Sequence, residues 1–90
     1  MRISKKAQAG TMQSSDLIVQ VEPAEELLVE IESTVQQQFG HLIEARVRQV
    51  LKRLGVAQGR ISLSDRGALD YAIDARVEAA LRRAAQESAR

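Results

Sequence analysis

Leu17-Ile18-Val19-Gln20-Val21-Glu22-Pro23-Ala24-Glu25-Glu26-Leu27-Leu28-Val29-Glu30-Ile31-Glu32 is the stretch that decides the fold class. Leu17, Val19 and Val21 alternate with Ile18, Gln20 and Glu22, the period of two that marks a half-buried strand. Pro23 ends that strand, because proline donates no ladder hydrogen bond. After the break at Pro23-Ala24-Glu25, Leu27, Val29 and Ile31 share one face and Leu28, Glu30 and Glu32 the other. Two strands so close, divided by a short polar break, predict an antiparallel hairpin.

Working outward, the period lengthens at Ser33. Ser33 with Gln36, or Thr34 with Gln37, fits a capping box, in which hydroxyl and amide satisfy each other's orphan backbone donors. Val35, Phe39, Leu42, Ile43, Val47, Val50, Leu51 and Leu54 then recur at three- and four-residue spacing, the apolar stripe of an amphipathic helix. Lys52, Arg53 and Gly55 suit its C-terminal end. Arg60 to Ser64 read as a third strand with Ile61 and Leu63 inward. Asp65-Arg66-Gly67 is a turn, with Asp65 able to cap a helix that starts just after it. Leu69, Ile73, Val77, Leu81 and Ala84, widened by Ala72 and Ala80, form that second amphipathic helix, and Gln86 to Arg90 are expected to fray.

Upstream, residues 1–15 are polar and small, with Ala7, Ala9, Gly10, Thr11, Ser14 and Ser15 offering few apolar anchors. A flexible lead-in is expected there. The order strand, strand, helix, strand, helix predicts a small α+β domain of two layers. Its sheet is expected to be three-stranded and mainly antiparallel, with both helices on one face. Ninety residues leave room for one core, so residues 1–90 are read as a single domain.

The bulk properties exclude several functions. Thirteen basic against twelve acidic side chains give a net charge of +1, too little to draw the chain to nucleic acid or an anionic membrane. Phe39 and Tyr71 are the only aromatic residues, which leaves little for base stacking. There is no cysteine, so any working thiol must arrive on an attached group. Lys5 and Lys6 are not followed by the apolar run of a secretory signal, and no stretch approaches the roughly 20 apolar residues that span a bilayer. A cytoplasmic location, with no membrane partner, is expected.

No self-sufficient active site is visible. His41 is a lone helical histidine without a second ligand at helical spacing, so no metal site is expected. Ser14, Ser15, Ser62 and Ser64 have no nearby base partner or strained elbow. The five glycines are scattered and form no phosphate cradle. Arg46, Arg48, Lys52 and Arg53, and later Arg82, Arg83 and Arg90, are basic groupings offset by Glu44, Asp70, Asp74, Glu78 and Glu87. They read first as solvated helix faces, and second as a docking surface for an acidic partner or for phosphates.

Ala9-Gly10-Thr11-Met12-Gln13-Ser14-Ser15-Asp16 changes the weighing. Followed by a hydrophobic strand, by Gln38-Phe39-Gly40, by Asp65-Arg66-Gly67-Ala68-Leu69-Asp70 and by Ala75-Arg76-Val77-Glu78-Ala79-Ala80-Leu81, it resembles the acyl carrier (gamma) subunits of citrate lyase from about residue 3 to residue 85. The resemblance implies a non-catalytic subunit of a multisubunit lyase complex. It implies a phosphopantetheine-like arm, phosphoribosyl dephospho-coenzyme A, joined through a phosphodiester to Ser14. It also implies three partners: an alpha subunit (acyl transferase), a beta subunit (citryl lyase) and a prosthetic-group transferase. On that arm acetyl and citryl thioesters would be held while citrate is cleaved to acetate and oxaloacetate.

The family usually has Ser-Gly-Asp where this chain has Ser14-Ser15-Asp16, which places a second hydroxyl beside the first and removes a freely rotating glycine. Asp16 is expected to orient the attachment loop or to help the modifying enzyme recognise it. Two other functions fit less well. One is the carrier subunit of malonate decarboxylase, with a similar arm. The other is an unmodified α+β interaction or nucleic-acid-binding module.

Overall fold

In a computed structural model of the chain, residues 1–33 and 40–85 are described. They form β1 (Ala7–Gly10), β2 (Leu17–Glu22), β3 (Leu27–Ser33), α1 (Gly40–Arg53), β4 (Gly59–Asp65) and α2 (Asp70–Ala85). The alternation in β2 and β4 does what it predicts. Leu17, Val19, Val21, Ile61 and Leu63 are buried under the helices, whereas Gln20 and Arg60 are exposed on the opposite face. On α1 the buried residues are Ile43, Val47, Val50 and Leu51; on α2 they are Ile73, Val77, Ala80, Leu81 and Ala84. The core lies between the two helices and one face of the sheet. Small Ala80 and Ala84 let α2 lie close against β1 and β2.

The sheet departs from expectation in two ways. It has four strands in the order β1-β2-β4-β3, not three, because Ala7–Gly10 pairs antiparallel with Leu17–Glu22. The segment read as a flexible lead-in therefore contains an edge strand. Nor do β2 and β3 form a hairpin: β4 runs antiparallel to β2 on one side and parallel to β3 on the other. Both edges of β2 are occupied, by β1 and β4, so β3 must pair beyond β4. Parallel neighbours need a crossover, and α1 supplies it.

Smaller corrections arise from the same packing. Ser33 is the last residue of β3 and donates from Oγ to the Asp65 carboxylate at 2.9 Å, while the Gln36 of its expected capping box lies outside the described residues. Thr34, Val35, Gln36, Gln37, Gln38 and Phe39, and the tail Gln86 to Arg90, lie outside the described residues. Leu42 and Leu69, expected in the apolar stripes, are exposed. Asp65 accepts a hydrogen bond from the Ala68 backbone N–H at 2.9 Å, bracing the expected turn, but it does not cap α2, which begins five residues on at Asp70. Between the helices, Arg46 holds Asp74 through two bonds of 2.9 Å, and Arg53 reaches Glu78 at 3.1 Å.

Candidate functional site

The β1–β2 connection, residues 11–16, carries the serine singled out above. Its entry depends on Gly10, whose φ of +104° lies in the left-handed region. A Cβ added there would fall 1.8 Å from the Leu17 carbonyl oxygen, so only glycine brings the two strands together at this end. The Thr11 N–H then donates to that same carbonyl at 3.0 Å.

At the exit, Asp16 N–H donates to the Gln13 carbonyl at 3.1 Å, closing a four-residue turn, Gln13-Ser14-Ser15-Asp16. Ser15, third in the turn, has φ of +65°, the type II pattern in which glycine is preferred. Ser15 N–H donates to the Arg66 carbonyl at 2.8 Å, while Arg66 N–H donates to the Asp16 carbonyl at 2.9 Å. Two residues thus face one, a β-bulge whose first residue is left-handed. Glycine fits this position of the bulge without strain, and Ser15 occupies it at a cost of about 1 kcal/mol.

Asp16 holds the loop together. Its carboxylate accepts from Thr11 Oγ1 at 2.6 Å, from the Leu17 N–H at 2.8 Å, and from Arg76 Nε and Nη2 at 3.1 and 2.8 Å. The bidentate Arg76 bond, followed by the Thr11 hydroxyl, lowers its pKa from 3.8 to about 2. Asp16 is therefore ionised at neutral pH, saturated with donors and too weak a base to deprotonate an alcohol. The expected orienting role of Asp16 has its geometry here. Arg76, on α2 sixty residues away, and Thr11 complete it, and the spacing of the sequence singled out neither.

Ser14 stands second in the turn with an exposed side chain. Among the described residues, neither its hydroxyl nor that of Ser15 has a hydrogen-bond partner. His41 lies exposed on α1, and among the described residues no group of His, Cys, Asp or Glu could hold a metal. The arrangement offers a primary alcohol on a fixed, projecting turn, with no base of its own. It suits a hydroxyl that another protein modifies.

Elsewhere, the basic helix faces are largely neutralised: Arg46 on Asp70 and Asp74, Arg48 on Glu44, and Arg53 and Arg82 on Glu78. The open sheet face carries the polar row Gln8, Gln20, Ser62 and Glu30 in register, with Arg60 bonded to Glu30. None of the four strands contains an aromatic residue, so the face lacks the stacking platform of single-strand nucleic-acid binders. No described helix is long and apolar enough to cross a membrane.

Fold and loop together define a class: a small α+β domain that projects a serine from a braced hairpin turn. Residues 4–84 match the family model described as ACP: Malonate decarboxylase delta subunit (MdcD). The citrate lyase acyl carrier protein of Haemophilus influenzae (strain ATCC 51907) is 49% identical over 88 residues, which cover 98% of this chain and 93% of that one. Citrate lyase acyl carrier protein 2 of Salmonella paratyphi A is 46% identical over 90 residues, with the same coverage. A chain in the crystal structure of a Pseudomonas malonate decarboxylase hetero-tetramer in complex with malonate shares the fold, with a TM-score of 0.69 at 22% identity over 90% of this chain and 84% of that one.

The chain belongs to the citrate lyase acyl carrier protein family. It is an acyl carrier, a subunit that presents a covalently attached group and not an enzyme in itself.

Proposed function

We propose that this chain is the carrier subunit of a citrate lyase and that Ser14 is where its prosthetic group, phosphoribosyl dephospho-coenzyme A, is attached through a phosphodiester. The observation that carries the proposal is the turn itself: the one segment that resembles the family's attachment motif is also an exposed serine on a hydrogen-bonded bulge.

The residues present fit such a group. Ser14 Oγ is exposed and unengaged among the described residues, so a transferase can bring its own base and activated phosphoryl donor to it. Arg76 cancels the Asp16 charge, which would otherwise repel an incoming phosphate two residues away. The absence of cysteine is consistent with a working thiol that arrives with the group.

When bound, the group supplies the thiol on which acetyl and citryl would be carried as thioesters. The chain's own part is to hold the attachment point rigid on the sheet. Ser14, held on that turn, would keep an attached thiol within reach of both partner sites at high effective concentration. Acid–base and metal chemistry would belong to an alpha (acyl transferase) and a beta (citryl lyase) subunit. Attachment by a cytoplasmic transferase, and assembly there, complete the proposal.

The family model and the structural neighbour make the malonate decarboxylase carrier the second reading. Reconstitution separates them. The loaded chain is mixed with citrate lyase alpha and beta subunits and, in parallel, with malonate decarboxylase partner subunits. Oxaloacetate release from citrate in the first mixture alone is expected. Carbon dioxide release from malonate in the second mixture alone would reassign the carrier.

A further inference from the structure

Of the arginines in the described residues, Arg46, Arg48, Arg53, Arg60, Arg76, Arg82 and Arg83 each hold a carboxylate or a carbonyl. Arg2 and Arg66 have no side-chain hydrogen bond or ion pair among those residues. Arg2 precedes the start of β1, at the end of the sheet away from the 11–16 turn. Arg66 is exposed and lies opposite the turn, fixed by the two backbone bonds of the bulge at 2.8 and 2.9 Å. Ser14 directly precedes Ser15, whose N–H meets the Arg66 carbonyl, so its Cα lies one step of about 3.8 Å beyond that contact, a gap a long side chain can span.

The local charge says what Arg66 can take. Residues 11–16 hold one carboxylate, Asp16, and Arg76 is committed to it through two nitrogens. The neighbouring acid, Asp65, is buried and accepts from Ser33 and the Ala68 N–H. Arg76 is paired with Asp16, and among the described residues the Arg66 guanidinium has no ion pair of its own, which leaves it open to an anion at the turn. A guanidinium without an ion pair among the described residues, backbone-bonded to the residue next to an exposed serine, matches a phosphate ester on that serine, which it can meet with parallel N–H donors.

We propose that Arg66 is the phosphate contact of the attachment site: its guanidinium binds the anionic phosphodiester that joins the prosthetic group to Ser14, and so fixes the direction in which the arm leaves the turn. The inference rests on attachment at Ser14. Its role is binding and positioning; it takes no part in acyl chemistry.

The test uses the full chain, unloaded and loaded by co-expression with the modifying enzymes. Phenylglyoxal, which reacts with free guanidinium groups, is applied to both forms, and labelling of the Arg66 and Arg2 peptides is followed by mass spectrometry. Loading is expected to slow labelling of Arg66 about threefold or more at low salt, leaving Arg2 unchanged. The protection should shrink when salt is raised to about 0.5 M, because an exposed ion pair is screened. Equal labelling of Arg66 in both forms, with the Ser14 adduct present, overturns the phosphate contact and leaves the attachment site standing. Protection that salt does not weaken also overturns it, since steric cover by the arm would then suffice. No adduct on the Ser14 peptide removes both.

Discussion

Asp16→Asn keeps the size of the side chain that ties the turn together but removes its charge, and it turns an amide against the Arg76 guanidinium. In the wild type, bonds from Arg76 and Thr11 hold the carboxyl pKa near 2 where 3.8 is usual. At about 1.4 kcal/mol per pKa unit, that gap sets a ceiling of roughly 2.5 kcal/mol. Arg76 is 40% exposed and Asp16 16%, so water screens the pair and about 1–2 kcal/mol is the expected contribution.

The sign comes from linkage. The folded carboxyl stays ionised at pH values where the unfolded one is protonated, so the stabilisation is complete above about pH 5 and is lost as pH falls from about 4 towards 2. Urea unfolding of both proteins at several pH values between 7 and 2.5 measures it. The wild type is expected to exceed Asp16→Asn by about 1–2 kcal/mol at pH 7, with the difference closing towards pH 2. Other carboxylates titrate in both proteins and cancel in the difference. Equal stabilities at pH 7, or a difference that does not change with pH, would refute the bracing role assigned to Asp16 and Arg76.

Three further substitutions probe the loop and the core. Ser15→Gly relieves the left-handed residue of the bulge, and the gain of about 1 kcal/mol is partly offset by the freer unfolded chain; thermal melting should show an unchanged or slightly raised Tm, and a loss beyond about 1 kcal/mol would contradict the bulge geometry. Gly10→Ala sets a methyl against the Leu17 carbonyl at a left-handed φ, and denaturant unfolding should register a loss of about 2–4 kcal/mol. Leu81→Ala empties a fully buried site beneath the sheet and is expected to cost about 2–5 kcal/mol in the same assay, while leaving loading of Ser14 unchanged at temperatures where the domain stays folded.

Much of the domain was legible from periodicity. The strand alternation from Leu17 to Glu22, the stripe from Ile43 to Leu51 and that from Ile73 to Ala84 all report burial against a single core, and burial is what those patterns encode. What escaped was pairing at a distance. Ala7-Gln8-Ala9-Gly10 has no β-branched or aromatic residue, so its strand character comes entirely from docking on β2 and is invisible locally. The break after Pro23 looks the same whether the next strand pairs beside β2 or crosses beyond β4. Only the competition for β2's two edges decides it.

At the site, small exposed residues marked the turn, and Asp16 beside Ser14 hinted at its anchor. Arg76 could not be found from spacing, because its partner lies sixty residues earlier and its position on α2 is outside the apolar stripe. Arg66 reads in sequence as an ordinary turn residue. Its significance depends on every nearby acid already being occupied.

The most direct test is the intact mass and peptide map of the chain after co-expression with citrate lyase modification enzymes, compared with Ser14→Ala and with a known carrier in the same cells. A dephospho-coenzyme-A-type adduct on the Ser14 peptide, absent from Ser14→Ala although that variant melts like the wild type, is the expected result. An unmodified wild type beside a modified control, or an adduct that persists in Ser14→Ala, would contradict the assignment of Ser14.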